Sequence, residues 1–339
     1  MNEYSPDVGE RNTSDGGFSK GWGAHFPPCE EYWYEAHTHL NNEECGDINI
    51  SEILSAHENM LDEFGVKKSA FIIKVFDEKT GWRPDGSETG KFFPCEQVFG
   101  ETKFLKNQDR FFWAPWIRYN DPNLTLLNNC INRGAAYIKL HNAEIIIDAA
   151  NPECWYSEKW RRMFEKMEEK HIPVLWHVTQ RLTACPYRGM GANSYWKVGV
   201  PKGVTYNNQR LLDIFLDVVE KYPGINFIGA HQLHLGWECL AKLFERYKNL
   251  YIDTSVGCYL KNDDDFYAND KEYLRNVFIK NYDRILFATD VYYKQPKMTE
   301  WKIKDEYRGH IRFIKRLNLP HRVLQAISHK NAERLFEKL

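Results

Sequence analysis

Short apolar runs alternate with longer amphipathic stretches along most of the chain. Eight runs, at residues 32–39, 69–76, 110–119, 135–141, 173–178, 225–231, 249–255 and 284–290, are rich in β-branched or aromatic residues and bounded by turn formers. Their length and content predict strands. Between and after them, residues 51–64, 121–133, 158–170, 209–222, 237–247, 271–282 and 305–317 repeat apolar positions at helical spacing. Asp121 is a natural N-cap for the second of these helices. Strands alternating with helices predict an α/β fold, a (β/α)8 TIM barrel. An open doubly wound sheet is the other arrangement with this alternation, but no G-x-G-x-x-G turn follows the first strand.

The connections are unequal. Long ones follow the second strand (77–95), the fifth (179–208) and the seventh (256–270). In a barrel these long loops gather at the C-terminal face, where active sites are built. Residues 1–30 are polar and contain Gly, Ser and Pro, so they read as an extended N-terminal arm. Residues 31–339 then form one barrel domain, with no internal repeat or low-complexity segment.

Charge and composition narrow the function. Lys plus Arg is 45 against 47 for Asp plus Glu, a formal net charge of −2, without a long run of one sign. That balance argues against nucleic acid or an anionic membrane as partner and leaves a small-molecule substrate, with a homodimer as a possible assembly. No apolar stretch approaches the roughly 20 residues needed to span a bilayer. The first residues show no apolar signal-like segment, and eight scattered cysteines form no C-x-x-C pair. Reduced thiols in a cytoplasmic protein are therefore expected. Aromatic residues make up 15% of the chain, which allows either dense core packing or a site lined by rings. The Trp-rich segments 113–116 and 155–160 carry the same two readings.

Candidate chemistry sits at strand ends. His37 and His39 lie two apart at the end of the first strand and so share a face. Twelve histidines in 339 positions give about 0.4 such pairs by chance, so the pair alone decides little. His177 ends the fifth strand, His231 the sixth and Asp290 the eighth. In a closed barrel these five side chains converge on one mouth, a pattern that predicts a divalent metal site. Lys139 and His141 end the fourth strand on the same face.

The ordered set EAHTHL, AYIKLHN, PVLWH, GAHQLHLGWE, YIDTS, LFATD and ISHKNAERLF, from about residue 32 to 337, resembles the amidohydrolase superfamily. It is most similar to the branch of aminocarboxymuconate-semialdehyde decarboxylase, aromatic-acid decarboxylases, hydratases and lactone hydrolases. The resemblance implies that His37, His39, His177 and Asp290 bind the metal, with His231 and Asp290 as catalytic residues. Such nitrogen and oxygen donors suit one divalent ion, Zn²⁺ first, with Mn²⁺ or Fe²⁺ as the other fits. Asp290 would take a proton from water, and His231 would polarise the substrate oxygen or orient the nucleophile. Lys139 has three readings: a substrate-anion contact, a carbamate bridging two metals as in some superfamily members, or a structural ion pair. His141 is a substrate-contact or packing candidate. Two positions depart from the family pattern: Glu35 stands where an Asp is usual, and HQLH replaces the commoner H-x-G-G, leaving His234 without a family role.

In the long loops, Arg83, Arg181, Tyr187, Arg188, Tyr195 and Trp196 are specificity candidates, with Arg181 and Arg188 suited to a substrate carboxylate. Hydrolysis of a small cyclic or carboxylate-bearing ester, lactone or amide is the leading expectation. The alternative is non-oxidative decarboxylation of an aromatic or unsaturated acid. A nuclease-like branch would want an acidic ligand where Lys139 stands, and a catalytically dead barrel would have lost a ligand; neither pattern is present.

Overall fold

The computed structural model describes residues 32–40, 50–74, 109–179, 203–255, 271–293 and 300–337. All eight expected strands are present: β1 Trp33–Leu40, β2 Val66–Lys74, β3 Phe111–Trp116, β4 Ile138–His141, β5 Val174–His177, β6 Phe227–Gly229, β7 Leu250–Asp253 and β8 Ile285–Leu286. A short ninth, β9 Val291–Tyr293, follows directly. The sheet runs β8-β7-β6-β5-β4-β3-β2-β1-β9 with every neighbour parallel.

One stretch of chain closes this sheet. β8 pairs with β7, while the Ala36 N–H donates to Phe287 O (3.1 Å) and the Asp290 N–H to His37 O (2.8 Å). β9 then continues along β1. Of the eighth strand expected at 284–290 only Ile285–Leu286 is strand; residues 287–290 leave the ladder, and β9 starts beyond the expected run, directly after Asp290, whose φ is 59°. Strands buried on both faces need apolar side chains at successive positions, and VLW in β5 and FIG in β6 are fully buried runs of that kind.

The helices cover the outside of the sheet: α1 Ile50–Glu63, α2 Leu124–Asn132, α3 Ala143–Ile147, α4 Glu158–Glu169, α5 Asn208–Lys221, α6 Trp237–Arg246, α7 Lys271–Lys280, α8 Glu300–Arg316, α9 His321–Gln325 and α10 Asn331–Phe336. In α4 the buried positions Trp160, Met163, Phe164 and Met167 form one stripe at helical spacing. Trp155 and Trp160 pack edge-on at 4.4 Å, and Trp155 meets Trp176 of β5 at 4.6 Å, so the two tryptophans of the 155–160 segment belong to the core while residues 156–159 between them are exposed. The N-cap of α2 is Asn123, not Asp121: its side chain accepts from the Leu126 N–H at 3.1 Å. The first helical backbone bond runs from the Leu127 N–H to Asn123 O (3.0 Å), so the helix starts two residues later than Asp121 would place it.

Asn142 ties the strand ends that carry the site. Its Nδ2 donates to Val178 O (3.0 Å), and its Oδ1 accepts from Trp155 Nε1 and Trp176 Nε1 (both 3.1 Å). Among the described residues no helix is long and apolar enough to cross a membrane, and Cys130, Cys154 and Cys239 are free thiols. The expected arm at 1–30 and the long loops 77–95 and 256–270 lie outside the described residues, as does 180–202 of the fifth connection.

Candidate active site

Strand period two turns His37 and His39 to the same side of β1, and their Nε2 atoms stand 3.3 Å apart. Asp290 Oδ1 lies 3.2 Å from His37 Nε2 and 3.1 Å from His39 Nε2. His37 Nδ1 is 2.7 Å from Asp253 Oδ2, so that nitrogen carries the proton and Nε2 presents a lone pair. Asp290 Oδ1 is buried and receives no hydrogen bond among the described residues. A buried acceptor beside two imidazole nitrogens leaves a place that a cation satisfies. The donor set of two imidazoles and a carboxylate fits a first-row divalent ion.

Burial and neighbouring charges tune these groups. Burial, then Lys139, lower the His37 pKa; burial and adjacent imidazoles push His177 and His231 well below the usual histidine value. Neutral imidazole is the form that ligates metals. Burial raises the Asp290 carboxyl to about 6 against the opposing pull of His37 and Lys139. For Asp253 burial acts upward, but the His37 ring and the bonds from His37, Ser255 and the His231 N–H outweigh it and hold the pKa below the usual carboxylate value. Lys139 is fully buried with Nζ 3.0 Å from His37 Nε2, and burial lowers it to about 8 although Asp290 and Asp253 oppose the shift.

His231 and His177 form the adjoining half of the site. The Ser255 hydroxyl donates to Asp253 Oδ1 (2.6 Å) and stands 2.8 Å from His231 Nδ1, while Asp253 Oδ1 also accepts the His231 N–H (2.9 Å). His231 Nε2 is 3.2 Å from His177 Nδ1 and 3.9 Å from Asp290 Oδ2. His177 is therefore beside His231, one ring away from the His37, His39 and Asp290 cluster. The grouping of His37, His231 and Asp253 is already joined by hydrogen bonds.

Rings encircle the mouth. Trp116 stacks on His141 (5.2 Å) and meets His39 edge-on (5.7 Å); His141 faces His177 (4.2 Å), His177 faces His231 (4.5 Å), and His231 returns to His37 (5.3 Å). Tyr292 lies flat on His39 at 4.4 Å. His141 accepts the Ala143 N–H through Nδ1 at 2.8 Å, so its Nε2 carries the proton. Of the two Trp-rich segments, only 113–116 thus contributes a ring to the site.

Two supports were not assigned from sequence. Asp253 lies in the quoted YIDTS segment, and its position at the end of β7 is the same strand-end signal that marked the histidines. Glu35 is wholly buried: Oε1 accepts the His37 and Thr289 N–H groups (both 3.0 Å), and Oε2 accepts the Thr289 hydroxyl (2.7 Å). Its extra methylene relative to Asp lengthens the reach from β1 to the residue before Asp290. Burial raises its pKa from 4.5 to about 8.

HQLH builds an unusual turn. Residues 231, 232, 233 and 234 have φ of 57°, 54°, 54° and 52°. Left-handed geometry costs roughly 1–2 kcal/mol per non-glycine residue, so tertiary contacts hold it. Gln232 Nε2 donates to Asp253 O (2.7 Å) and Ser255 O (2.8 Å), and Leu233 packs where a Cβ on Gly229 would be 2.5 Å from its Cδ2.

The amidohydrolase family model matches residues 103–338. The chain belongs to the amidohydrolase family. No curated protein matches it. Among solved structures, this amidohydrolase is similar to a probable 2-pyrone-4,6-dicarboxylic acid hydrolase from Acinetobacter baumannii (TM-score 0.52, 11% identity, covering 91% of this chain and 100% of that one). It is similar to a dihydroxybenzoic acid decarboxylase from Polaromonas sp. JS666 with bound manganese (0.55, 15%, 90% and 97%). A dihydroorotase from Campylobacter jejuni is a third (0.52, 14%, 91% and 84%). At these identities the likeness concerns the barrel fold. In this amidohydrolase enzyme Arg83, Arg181, Tyr187, Arg188, Tyr195 and Trp196 lie outside the described residues.

Proposed function

We propose that this amidohydrolase is a metal-dependent hydrolase of a small cyclic or carboxylate-bearing ester, lactone or amide. The observation that carries the reading is Asp290 Oδ1, buried without a hydrogen bond between His37 Nε2 and His39 Nε2. His37, His39 and Asp290 would hold one ion, with His177 as the fourth ligand once its ring is drawn toward Asp290. Zn²⁺ fits the donors, and Mn²⁺ or Fe²⁺ fits them too; the Polaromonas structure holds manganese. The ion, when bound, supplies Lewis-acid activation of water and of the substrate carbonyl.

The chain's own groups do the rest. Asp290, with its carboxyl raised to about 6, accepts a proton near neutral pH through Oδ2, the oxygen facing His231. His231 donates its Nδ1 proton to Ser255 and presents an unprotonated Nε2, which accepts a hydrogen bond from the attacking water and so orients the nucleophile. Lys139 at the floor and His141 in the wall contact substrate, and Arg181 and Arg188 supply the counter-charge for a carboxylate.

A second reading is non-oxidative decarboxylation, favoured by the ring-lined mouth from His39 through Trp116 and His141 to His177, which suits a planar acid. The test is a panel of lactones, esters, amides and hydroxybenzoates with zinc- or manganese-loaded enzyme, following acid release and carbon dioxide separately. Acid release from a lactone, ester or amide supports hydrolysis. Carbon dioxide from a benzoate without hydrolysis moves the assignment to the second reading, and no turnover of any member contradicts both.

A further inference from the structure

His234 is buried among the site histidines, with its ring 5.1 Å from His231 and 5.6 Å from His177, yet the proposed reaction gives it no task. Its Nδ1 is 2.8 Å from Thr179 O, and His177 Nε2 is 3.0 Å from the same oxygen. A carbonyl can only accept, so each ring donates a proton to it. His177 therefore carries its proton on Nε2 and turns a bare Nδ1 into the site. Ser255 uses its own proton on Asp253, which places the His231 proton on Nδ1 and leaves His231 Nε2 bare as well. Two bare nitrogens 3.2 Å apart repel, so the His177 ring needs an anchor outside the pair.

We propose that His234 is a positioning residue for His177, acting through the backbone carbonyl of Thr179. The left-handed turn is what brings it there. A turn of this kind repeats at about three residues, which sets His231 and His234 on one side. Thr179 is then held by the turn at its hydroxyl and its carbonyl: the hydroxyl donates to Leu233 O at 2.5 Å and the carbonyl accepts from His234. HQLH accordingly fixes two site histidines at once, presenting His231 directly and fixing the proton of His177 indirectly. The value of this for metal binding rests on the proposed function, whereas the tautomers do not depend on any ion.

Long-range ¹H–¹⁵N spectra of metal-free, ¹⁵N-histidine-labelled protein test the tautomers. The expected result is Nε2–H for His177 and Nδ1–H for His234. Zinc affinity, measured by competition with a chromophoric chelator, should fall about 10- to 100-fold in His234→Ala, as for other outer partners of metal-binding histidines. His234→Asn, whose amide nitrogen can take the place of Nδ1–H, should restore affinity to within about threefold and keep the His177 tautomer. His234→Gln should not. The proposal is overturned by Nδ1–H on His177 in the wild type, or by folded His234→Ala retaining wild-type tautomer and affinity. Folded His234→Asn behaving like the Ala variant also overturns it. Because the wild-type tautomers are read without any variant, failure of a variant to fold leaves the decision to them. Wild-type protein that shows the expected tautomers but binds no zinc would contradict the metal reading and leave the positioning intact.

Discussion

Asp290 offers its two oxygens to different partners: Oδ1 to the His37 and His39 nitrogens, and Oδ2 toward His231 Nε2 at 3.9 Å. Asp290→Asn keeps the shape but removes the anion and the proposed base. Turnover should fall by about 10²–10⁴-fold while thermal unfolding in the absence of metal stays close to wild type. Near wild-type turnover would take Asp290 out of the mechanism. Glu35 makes a prediction about pH. Its folded pKa of about 8 lies above the ordinary 4.5, so the folded protein retains a proton that the unfolded chain has released. The associated stabilisation is fully present below about pH 4.5 and is lost as pH rises through about 8. Glu35→Gln, able to accept both N–H groups and donate to the Thr289 hydroxyl, should flatten that part of the stability profile in denaturant titrations across this window. Glu35→Ala strands the buried donors of His37 and Thr289 and should cost about 1–3 kcal/mol. An unchanged slope in the Gln variant would show that Glu35 does not titrate there.

The left-handed turn explains why one glycine is demanded at the end of β6. A Cβ at Gly229 would meet Leu233 Cδ2 at 2.5 Å and Cγ at 2.6 Å. Gly229→Ala should destabilise by about 1–3 kcal/mol through overpacking, and Leu233→Ala added to it should recover part of the loss in chemical unfolding. Strict additivity of the two changes would mean that they do not meet. Sequence periodicity could not reveal this element, because non-glycine residues have no local preference for the left-handed region and the conformation is imposed by Thr179, Asp253 and Ser255. Strands and helices were legible for the opposite reason: FII of β2, VLW of β5 and the stripe Trp160, Met163, Phe164, Met167 report burial directly through side-chain spacing. The break in the eighth strand had no such signal, since Phe287 and Ala288 continue the apolar run beyond the last paired residue and the left-handed φ falls on Asp290, not on a glycine.

Across the whole molecule, barrel closure makes the site readable. Parallel strands bring their C-terminal ends to one rim, so His37 and His39 near the end of β1, His177 ending β5, and His231 and Asp290 in the connections just past β6 and β8 could be gathered from sequences more than two hundred residues apart. Their pairing could not be read that way, because which ring nitrogen faces which oxygen depends on supports such as Asp253, Ser255 and Thr179. In the proposed metal site, the atoms left facing one another after those supports are satisfied would hold a divalent ion. Anomalous diffraction from crystals grown with Zn²⁺ or Mn²⁺ tests it directly. The prediction is one peak about 2.0–2.2 Å from His37 Nε2, His39 Nε2 and Asp290 Oδ1, with His177 turned toward it. No peak among these atoms, or two peaks bridged by a modified Lys139, would contradict the single-ion site.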